Sequence, residues 1–189
     1  MTEKNPRLPP GQVETKAWPV LHYGSVPHVD PAAWSFRAFG LVENPTEWTL
    51  AEPTALPRVD VRCDIHCVTR WSKFDNVFTG VALRDVLARV KPQSTARFVV
   101  VHAEAGFTTN VPLTDLDRDD VLLATHHNGE PLTPDHGAPV RLVVPHLYFW
   151  KSAKWVRGFE FTDRNRPGFW ERNGYHMRGN PWAEERYSF

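Results

Sequence analysis

Cysteine is scarce in this chain, because only Cys63 and Cys67 occur among its 189 residues. A framework of disulfides is therefore not expected, and in a reducing compartment both residues are predicted to act as thiols. An excess of charge is also missing, since 22 lysines and arginines balance 22 aspartates and glutamates. This balance argues against nucleic acid and anionic membranes as partners, so any anion site must be local.

Long apolar stretches are absent as well. No segment is apolar enough to cross a bilayer, and residues 1–18 have neither the basic-then-apolar run of a secretory signal nor a twin-arginine pair. The sequence therefore predicts a cytoplasmic protein without membrane insertion.

Proline, tryptophan and glycine are plentiful, with 17, 8 and 11 residues, and they favour turns and irregular connections over long helices. The chain is also 41% hydrophobic, which is enough for a real core. No internal repeat or domain boundary is visible. We predict an α+β protein with an N-terminal arm over residues 1–16 and one domain over residues 17–189.

Hydrophobic periodicity places the main elements. Helical spacing of apolar residues predicts a helix over residues 81–90, ended by Pro92 and preceded by a loop through Gly80. Alternating or continuously apolar runs predict strands over residues 34–40, 59–67, 97–102, 107–113, 121–125, 140–145 and 155–161.

The segment 63–72 (CDIHCVTRWS) is the first candidate for chemistry. Alternation along the predicted strand puts Cys63 and Cys67 on one face, which ends at Cys67. A thiolate there could be a soft metal ligand, a nucleophile or a redox thiol, and Arg70 would favour the deprotonated form. The alternative is a buried cysteine without chemical consequence. A zinc site is disfavoured because His66 points away from both cysteines on a strand.

A second candidate segment runs from His136 through Arg141 to Ser152 and Lys154. Its cations and hydroxyl could hold a phosphate or the edge of a pterin by charge-assisted hydrogen bonds. Solvated surface charge is the alternative interpretation of the same residues.

Together these motifs resemble a known family, the oxidoreductase molybdopterin-binding domain of sulfite oxidases, plant-type nitrate reductases and bacterial methionine-sulfoxide reductases. Short stand-alone prokaryotic members are the most similar. The segments that carry the resemblance are 18–27 (WPVLHYGSVP), 64–72 (DIHCVTRWS), 137–145 (GAPVRLVVP), 151–155 (KSAKW) and 167–176 (PGFWERNGYH).

The resemblance implies a sulfite oxidase-type fold of mixed β-sheets with a few peripheral helices, and a bound molybdenum–molybdopterin cofactor. Cys67 matches the one protein ligand to the metal. Arg70 and Trp71, which follow it, are our candidates for the substrate site, with Arg70 attracting an oxyanion such as sulfite and Trp71 forming an apolar wall. Core packing is the alternative role for Trp71.

The resemblance also implies a set of contacts to the pterin or its phosphate: His22, Tyr23, Ala103, His136, Arg141, Ser152, Ala153 and Lys154. Within this set His22 and Tyr23 contact the pterin, Ala103 acts through its backbone, and residues 152–154 wrap the phosphate end.

The predicted function is oxygen-atom transfer to or from a small substrate, with electrons exchanged with a separate partner, since no heme-binding domain accompanies the motifs. One alternative is a reductase of an S-oxide or N-oxide on the same cofactor. Others are a non-catalytic cofactor-binding partner protein and a metal-free thiol enzyme, although His66 is the wrong strand neighbour to serve as a base for Cys67.

Overall fold

The computed structural model describes residues 5–188, apart from the side chains of residues 53–54, so residues 1–4 of the predicted arm and Phe189 lie outside the described residues. Eleven strands occur in the described part: β1 Val13–Glu14, β2 Ser35–Gly40, β3 Thr46–Thr49, β4 Arg58–His66, β5 Trp71–Ala82, β6 Phe98–Ala103, β7 Thr108–Pro112, β8 Leu122–His127, β9 Glu130–Pro131, β10 Arg141–Val143 and β11 Val156–Thr162. Four short α-helices accompany them: α1 Ala51–Thr54, α2 Leu83–Val90, α3 Leu113–Leu116 and α4 Phe169–Arg172.

The strands form two mixed sheets. One runs in the order β1-β5-β8-β10, with β4 added to β5 and β9 to β8, and the other runs β3-β2-β11-β6-β7. Parallel pairs, β1 with β5 and β11 with β2, stand among antiparallel neighbours. The α+β prediction is confirmed, because the strands dominate and the helices are few and short.

Helix α2 lies where the 3.6-residue spacing predicts it. Its buried residues are Leu83, Val86, Leu87 and Val90, and Lys91 then takes a left-handed conformation that ends the helix. The predicted loop through Gly80 is wrong: residues 71–82 form the long strand β5. This strand pairs with β4 on one side and with β8 on the other.

The main core joins both sheets and α2. Phe36 of β2 and Phe159 of β11 share one buried cluster with Val81 of β5, Leu142 of β10 and the inner face of α2. None of the described helices has the length and apolar character needed to cross a membrane. The short polar segment of residues 5–16 lies against the first sheet through the pairing of β1 with β5.

Candidate active site

A cleft of about 510 Å³ opens beside the end of β4. We name its four main walls the N-terminal loop (residues 18–27), the Cys67 turn (residues 67–71), the cationic segment (residues 141–155) and the C-terminal strap (residues 167–188). Residues from each of them line the cleft, together with a short stretch at 104–107. These walls come from distant parts of the sequence and meet only in the folded chain.

The Cys67 turn connects the paired strands β4 and β5. The Cys67 amide donates to the Trp71 carbonyl at 2.8 Å, and the Arg70 amide donates to the Cys67 carbonyl at 3.1 Å. The Cys67 thiol lines the cleft and accepts a hydrogen bond from the Thr69 hydroxyl at 3.1 Å. Burial raises the pKa of the Cys67 thiol, and the Thr69 hydrogen bond opposes that rise. A thiol in this setting becomes a thiolate when it binds a metal ion.

Two cations face the same cleft without acidic partners. Arg141 is 1% exposed, and its guanidinium donates to the carbonyl oxygens of His136 and Ser152, each at 2.8 Å. Burial lowers the pKa of Arg141 to about 9, and burial followed by the Arg141 charge lowers the pKa of Lys154 to about 8. Within residues 5–188 no carboxylate lies within the ion-pair distance of 4.0 Å from either group. Such a pair fits a phosphate group, which would supply the missing negative charge.

Gly137 allows these two cationic residues to approach each other. It has a φ of +107°, and a Cβ at this position would lie 3.0 Å from the Lys154 Cβ and 3.1 Å from the Arg141 Cβ. Only glycine combines that backbone conformation with so small a volume. The glycine of the GAPVR motif is therefore needed for the close approach of Arg141 and Lys154, which together with Gly137 we call the anion cradle.

Trp18 fixes the N-terminal loop to the domain. Its indole stacks on His136 at 3.8 Å, contacts His127 at 4.3 Å and lies under the Arg141 guanidinium at 5.3 Å. Burial lowers the pKa of both histidines to about 4, so each ring is neutral at physiological pH. His136 does not line the cleft, and it supports it through Trp18 and through the carbonyl that holds Arg141.

His22 and Tyr23 lie at the mouth of the cleft. Both line it, and Tyr23 is 70% exposed. The Tyr23 ring lies 4.8 Å from Phe169 of the C-terminal strap, and the His22 ring lies 5.8 Å from Trp155 of the cationic segment. The N-terminal loop therefore contacts two other walls near its exposed end.

Ser152 and Ala153 are buried cleft residues beside Lys154. The Ser152 hydroxyl accepts from the Val144 amide at 2.9 Å, which fixes the loop to the end of β10. Ala103 is buried at the end of β6 and does not line the cleft, although its neighbours Glu104 and Ala105 do.

The two predicted substrate residues, Arg70 and Trp71, lie in different places relative to the cleft. Trp71 lines the cleft, and its buried indole Nε1 has no acceptor among the described residues. Arg70 is exposed, has a φ of 75° at the corner of the turn and is not among the lining residues. The structure thus brings Trp71 to Cys67 and leaves the Arg70 side chain outside.

Residues that the sequence analysis did not single out form an aromatic wall: Trp150, Trp170 and Tyr175. Tyr175 lies 5.0 Å from each of the two indoles. Beneath the wall, the buried Glu171 carboxylate accepts from Trp150 Nε1 at 2.8 Å and from Lys151 Nζ at 2.6 Å. The high density of aromatic residues in these segments was the only feature of the sequence that pointed to the wall. It did not predict which side chains face the cleft, because residues on irregular backbone do not follow the periodicity of a helix or a strand.

The donor set of the cleft fits a molybdopterin cofactor. A single thiol suits a soft metal whose other ligands come from the cofactor, and the unpaired cations with their glycine cradle suit its phosphate. Trp71 lines the cleft, and its Nε1 is buried without a partner in the described chain, which leaves a polar group for a ligand to satisfy.

Known proteins are similar to this chain over most of its length. The profile of the family described as "oxidoreductase molybdopterin binding domain" matches residues 23–170. The uncharacterized oxidoreductase YuiH of Bacillus subtilis is 50% identical over all of this chain and 96% of its own length. A putative protein-methionine-sulfoxide reductase subunit, YedZ1 of Azospira oryzae, is 28% identical over 90% of this chain and 66% of its own length.

More distant relatives are longer. A nitrate reductase of Hordeum vulgare is 29% identical over 85% of this chain, which spans 21% of that protein. The crystal structure of the sulfane dehydrogenase SoxCD from Paracoccus pantotrophus matches with a TM-score of 0.72 at 22% identity, over 85% of this chain and 47% of that one, which shows the expected sulfite oxidase-type fold. By profile, relatives and fold, the chain belongs to the oxidoreductase molybdopterin-binding domain family and is a molybdopterin-dependent oxidoreductase of the sulfite oxidase-like type.

Proposed function

We propose that this protein transfers an oxygen atom between water and a small sulfur- or nitrogen-containing substrate, with Cys67 as the protein ligand to the molybdenum of a molybdopterin cofactor. One observation carries the proposal: a single buried thiol and two cations without counter-charges line the same cleft. When bound, the cofactor supplies a metal that exchanges two electrons and an oxygen atom with the substrate.

The residues of the chain hold and orient that cofactor. Arg141 and Lys154 neutralise its phosphate, and the backbone around Ser152 and Ala153 surrounds the same end. His22 and Tyr23 contact the pterin from the N-terminal loop. His136 holds Trp18 and Arg141 in place, and the stretch that follows Ala103 reaches the cleft through Glu104 and Ala105.

The overall reaction balances as substrate plus water giving oxygenated substrate, two protons and two electrons, or its reverse. The electrons pass to or from a separate electron-transfer partner, which is also part of the proposal. A cytoplasmic location is part of the same proposal.

A specific observation favours an uncharged substrate, such as the S-oxide or N-oxide of the reductase alternative. The lining cations are Arg141 and Lys154, both assigned to the phosphate, whereas Arg70 lies outside the cleft. The thiol instead packs among Trp71, Trp150 and Tyr175. An oxyanion in that aromatic surrounding would lack a counter-charge, which costs much more than burying a neutral S-oxide.

The decisive experiment is to express the protein in a molybdopterin-competent host beside Cys67→Ser, with Cys63→Ser as the matched control. We expect about one molybdenum per parent chain, measured by mass spectrometry of metals, and a molybdenum(V) resonance that changes or disappears in Cys67→Ser only. With a reduced dye as electron donor, uncharged S-oxides should be turned over faster than nitrate.

Other outcomes separate the alternatives. Well-folded parent protein without molybdenum or pterin contradicts the proposal and favours the metal-free thiol enzyme. Bound cofactor without turnover of any S-oxide, N-oxide, sulfite or nitrate favours the non-catalytic binding partner. Preferred turnover of sulfite or nitrate contradicts the uncharged substrate and leaves the cofactor assignment intact.

A further inference from the structure

The two ends of the described chain meet behind the Cys67 turn. The side chains that meet there, Gln12 and Arg186, do not line the cleft. Gln12 lies in the N-terminal segment and Arg186 in the C-terminal strap, and they are 6% and 5% exposed. The Arg186 guanidinium donates to the Gln12 Oε1 at 3.0 Å. This hydrogen bond joins residues 174 positions apart in the sequence.

Both side chains hold the backbone of the turn. The Gln12 amide nitrogen lies 3.0 Å from the carbonyl oxygen of Cys67 and 3.0 Å from that of Trp71. Arg186 donates to the Val68 carbonyl oxygen at 2.7 Å. Three carbonyls of one short turn are therefore fixed by two side chains that belong to neither of its strands.

Arg186 also brings a buried positive charge close to the thiol. Its guanidinium lies 4.9 Å from the centre of the Tyr148 ring, and Tyr148 packs in the same cluster as Cys67 and Val68. In residues 5–188 no carboxylate lies within 4.0 Å of the guanidinium, and its buried Nε has no acceptor there. A thiolate at Cys67 would supply the negative charge that this cation lacks.

We infer that Gln12 and Arg186 are positioning residues for Cys67: together they clamp the turn, and Arg186 adds a fixed positive charge beside the metal ligand. The clamp rests on the hydrogen bonds alone, while the effect on the metal rests on the proposed function. Groups that orient a ligand and alter its electron density tune the properties of the bound metal.

The test compares holoprotein carrying Arg186→Gln, Arg186→Lys or Gln12→Ala with the parent. Arg172→Gln is the matched control, because Arg172 is an exposed arginine of the same strap that donates to Pro167. Hydrogen exchange of the amides in residues 67–71 reports the clamp. The reduction potential and the molybdenum(V) resonance report the charge, which a merely structural residue would not change.

In Arg186→Gln we expect exchange in the turn to rise about tenfold, since a charge-assisted hydrogen bond is lost. The potential should become more negative, because the lost cation favoured the reduced metal. Arg186→Lys should have a reduction potential close to that of the parent, because the positive charge remains. Its hydrogen exchange in the turn should still be faster, because lysine cannot reproduce the hydrogen bonds of the guanidinium. Gln12→Ala should speed exchange with little change in potential.

If Arg186→Gln changes neither the hydrogen exchange of the turn nor the reduction potential, the inference is overturned. If Arg186→Gln and Arg186→Lys have the same reduction potential, the charge of Arg186 has no role at the metal. Should Arg186→Gln fail to fold, Arg186→Lys and Gln12→Ala decide by the same criteria. A parent protein without molybdenum would contradict the proposed function instead. Hydrogen exchange of residues 67–71 would then be compared between the variants and the parent in cofactor-free protein. Faster exchange in the variants would support the clamp, and unchanged exchange would overturn it.

Discussion

Lys154 and Arg141 illustrate how single residues can stabilise a bound ligand at the expense of the free protein. Their pKa values are lowered to about 8 and about 9, mainly by burial, so each charged form is disfavoured until an anion arrives. Between pH 8 and 10.5 the unfolded Lys154 binds more protons than the folded one, so the stability of cofactor-free protein should rise with pH across that window.

The same residue gives a prediction for anion binding. Sulfate, whose charge is constant over this range, should raise the melting temperature of cofactor-free protein, because it binds only the folded state. Its affinity should fall as the pH passes about 8, where Lys154 loses its proton. Calorimetric melting with Lys154→Gln should show most of the sulfate effect gone, whereas the exposed Lys16→Gln should retain it. An equal response of both variants would contradict the assignment of the cradle.

At the scale of the elements, strand β5 depends on Gly80. A Cβ at this position would lie 2.0 Å from the Leu123 carbonyl oxygen and 2.7 Å from the Ala124 Cα of the neighbouring strand β8. The register between β5 and β8 shifts at this point, between Thr79 and Gly80. Close backbone approach, rather than a turn, is therefore the reason for this glycine.

Gly80→Ala should lower the free energy of unfolding by about 3 kcal/mol or more, because backbone atoms of β8 cannot yield as a flexible side chain would. Urea unfolding measures the loss. Gly129→Ala is the matched control: it has open space around its Cβ and a φ of +86°. It should cost only about 1 kcal/mol, the price of a left-handed backbone. A smaller loss in Gly80→Ala than in Gly129→Ala would contradict the close approach.

For the whole molecule, we expect the stability of the fold to depend on pH through the two histidines that contact Trp18. His127 and His136 hold Trp18 between them as neutral rings, since burial lowers the pKa of each from 6.5 to about 4. Between those values the unfolded chain binds more protons than the folded one. The contribution of the neutral histidines to the free energy of unfolding is therefore fully present above pH 6.5 and is lost as the pH falls towards 4.

Melting temperatures recorded from pH 7 to pH 4 should fall by less in His127→Gln than in the parent, because the proton that His127 takes up on unfolding is removed. The exposed His28→Gln should follow the parent curve. A parent-like slope in His127→Gln would show that this ring does not couple protonation to folding.

Local pattern was sufficient for much of the fold. Alternation identified β4, which ends at His66, one residue before the predicted end, and helical spacing identified α2, because each depends on residues close in sequence. The motifs around Cys67, Arg141 and Lys154 likewise identified the principal lining residues. Gly80 was misread because a glycine inside a strand and a glycine in a loop look alike until the neighbouring strand is known.

By itself, then, the sequence determined the α+β class, the thiol at the end of β4 and the cationic segment of the cleft. The tertiary structure decided where side chains of irregular backbone point: it left Arg70 outside, assembled the wall around Tyr175, and joined Gln12 to Arg186 behind the Cys67 turn. The reason is physical, because contacts between distant segments depend on how the sheets pack, and no period along the chain records them.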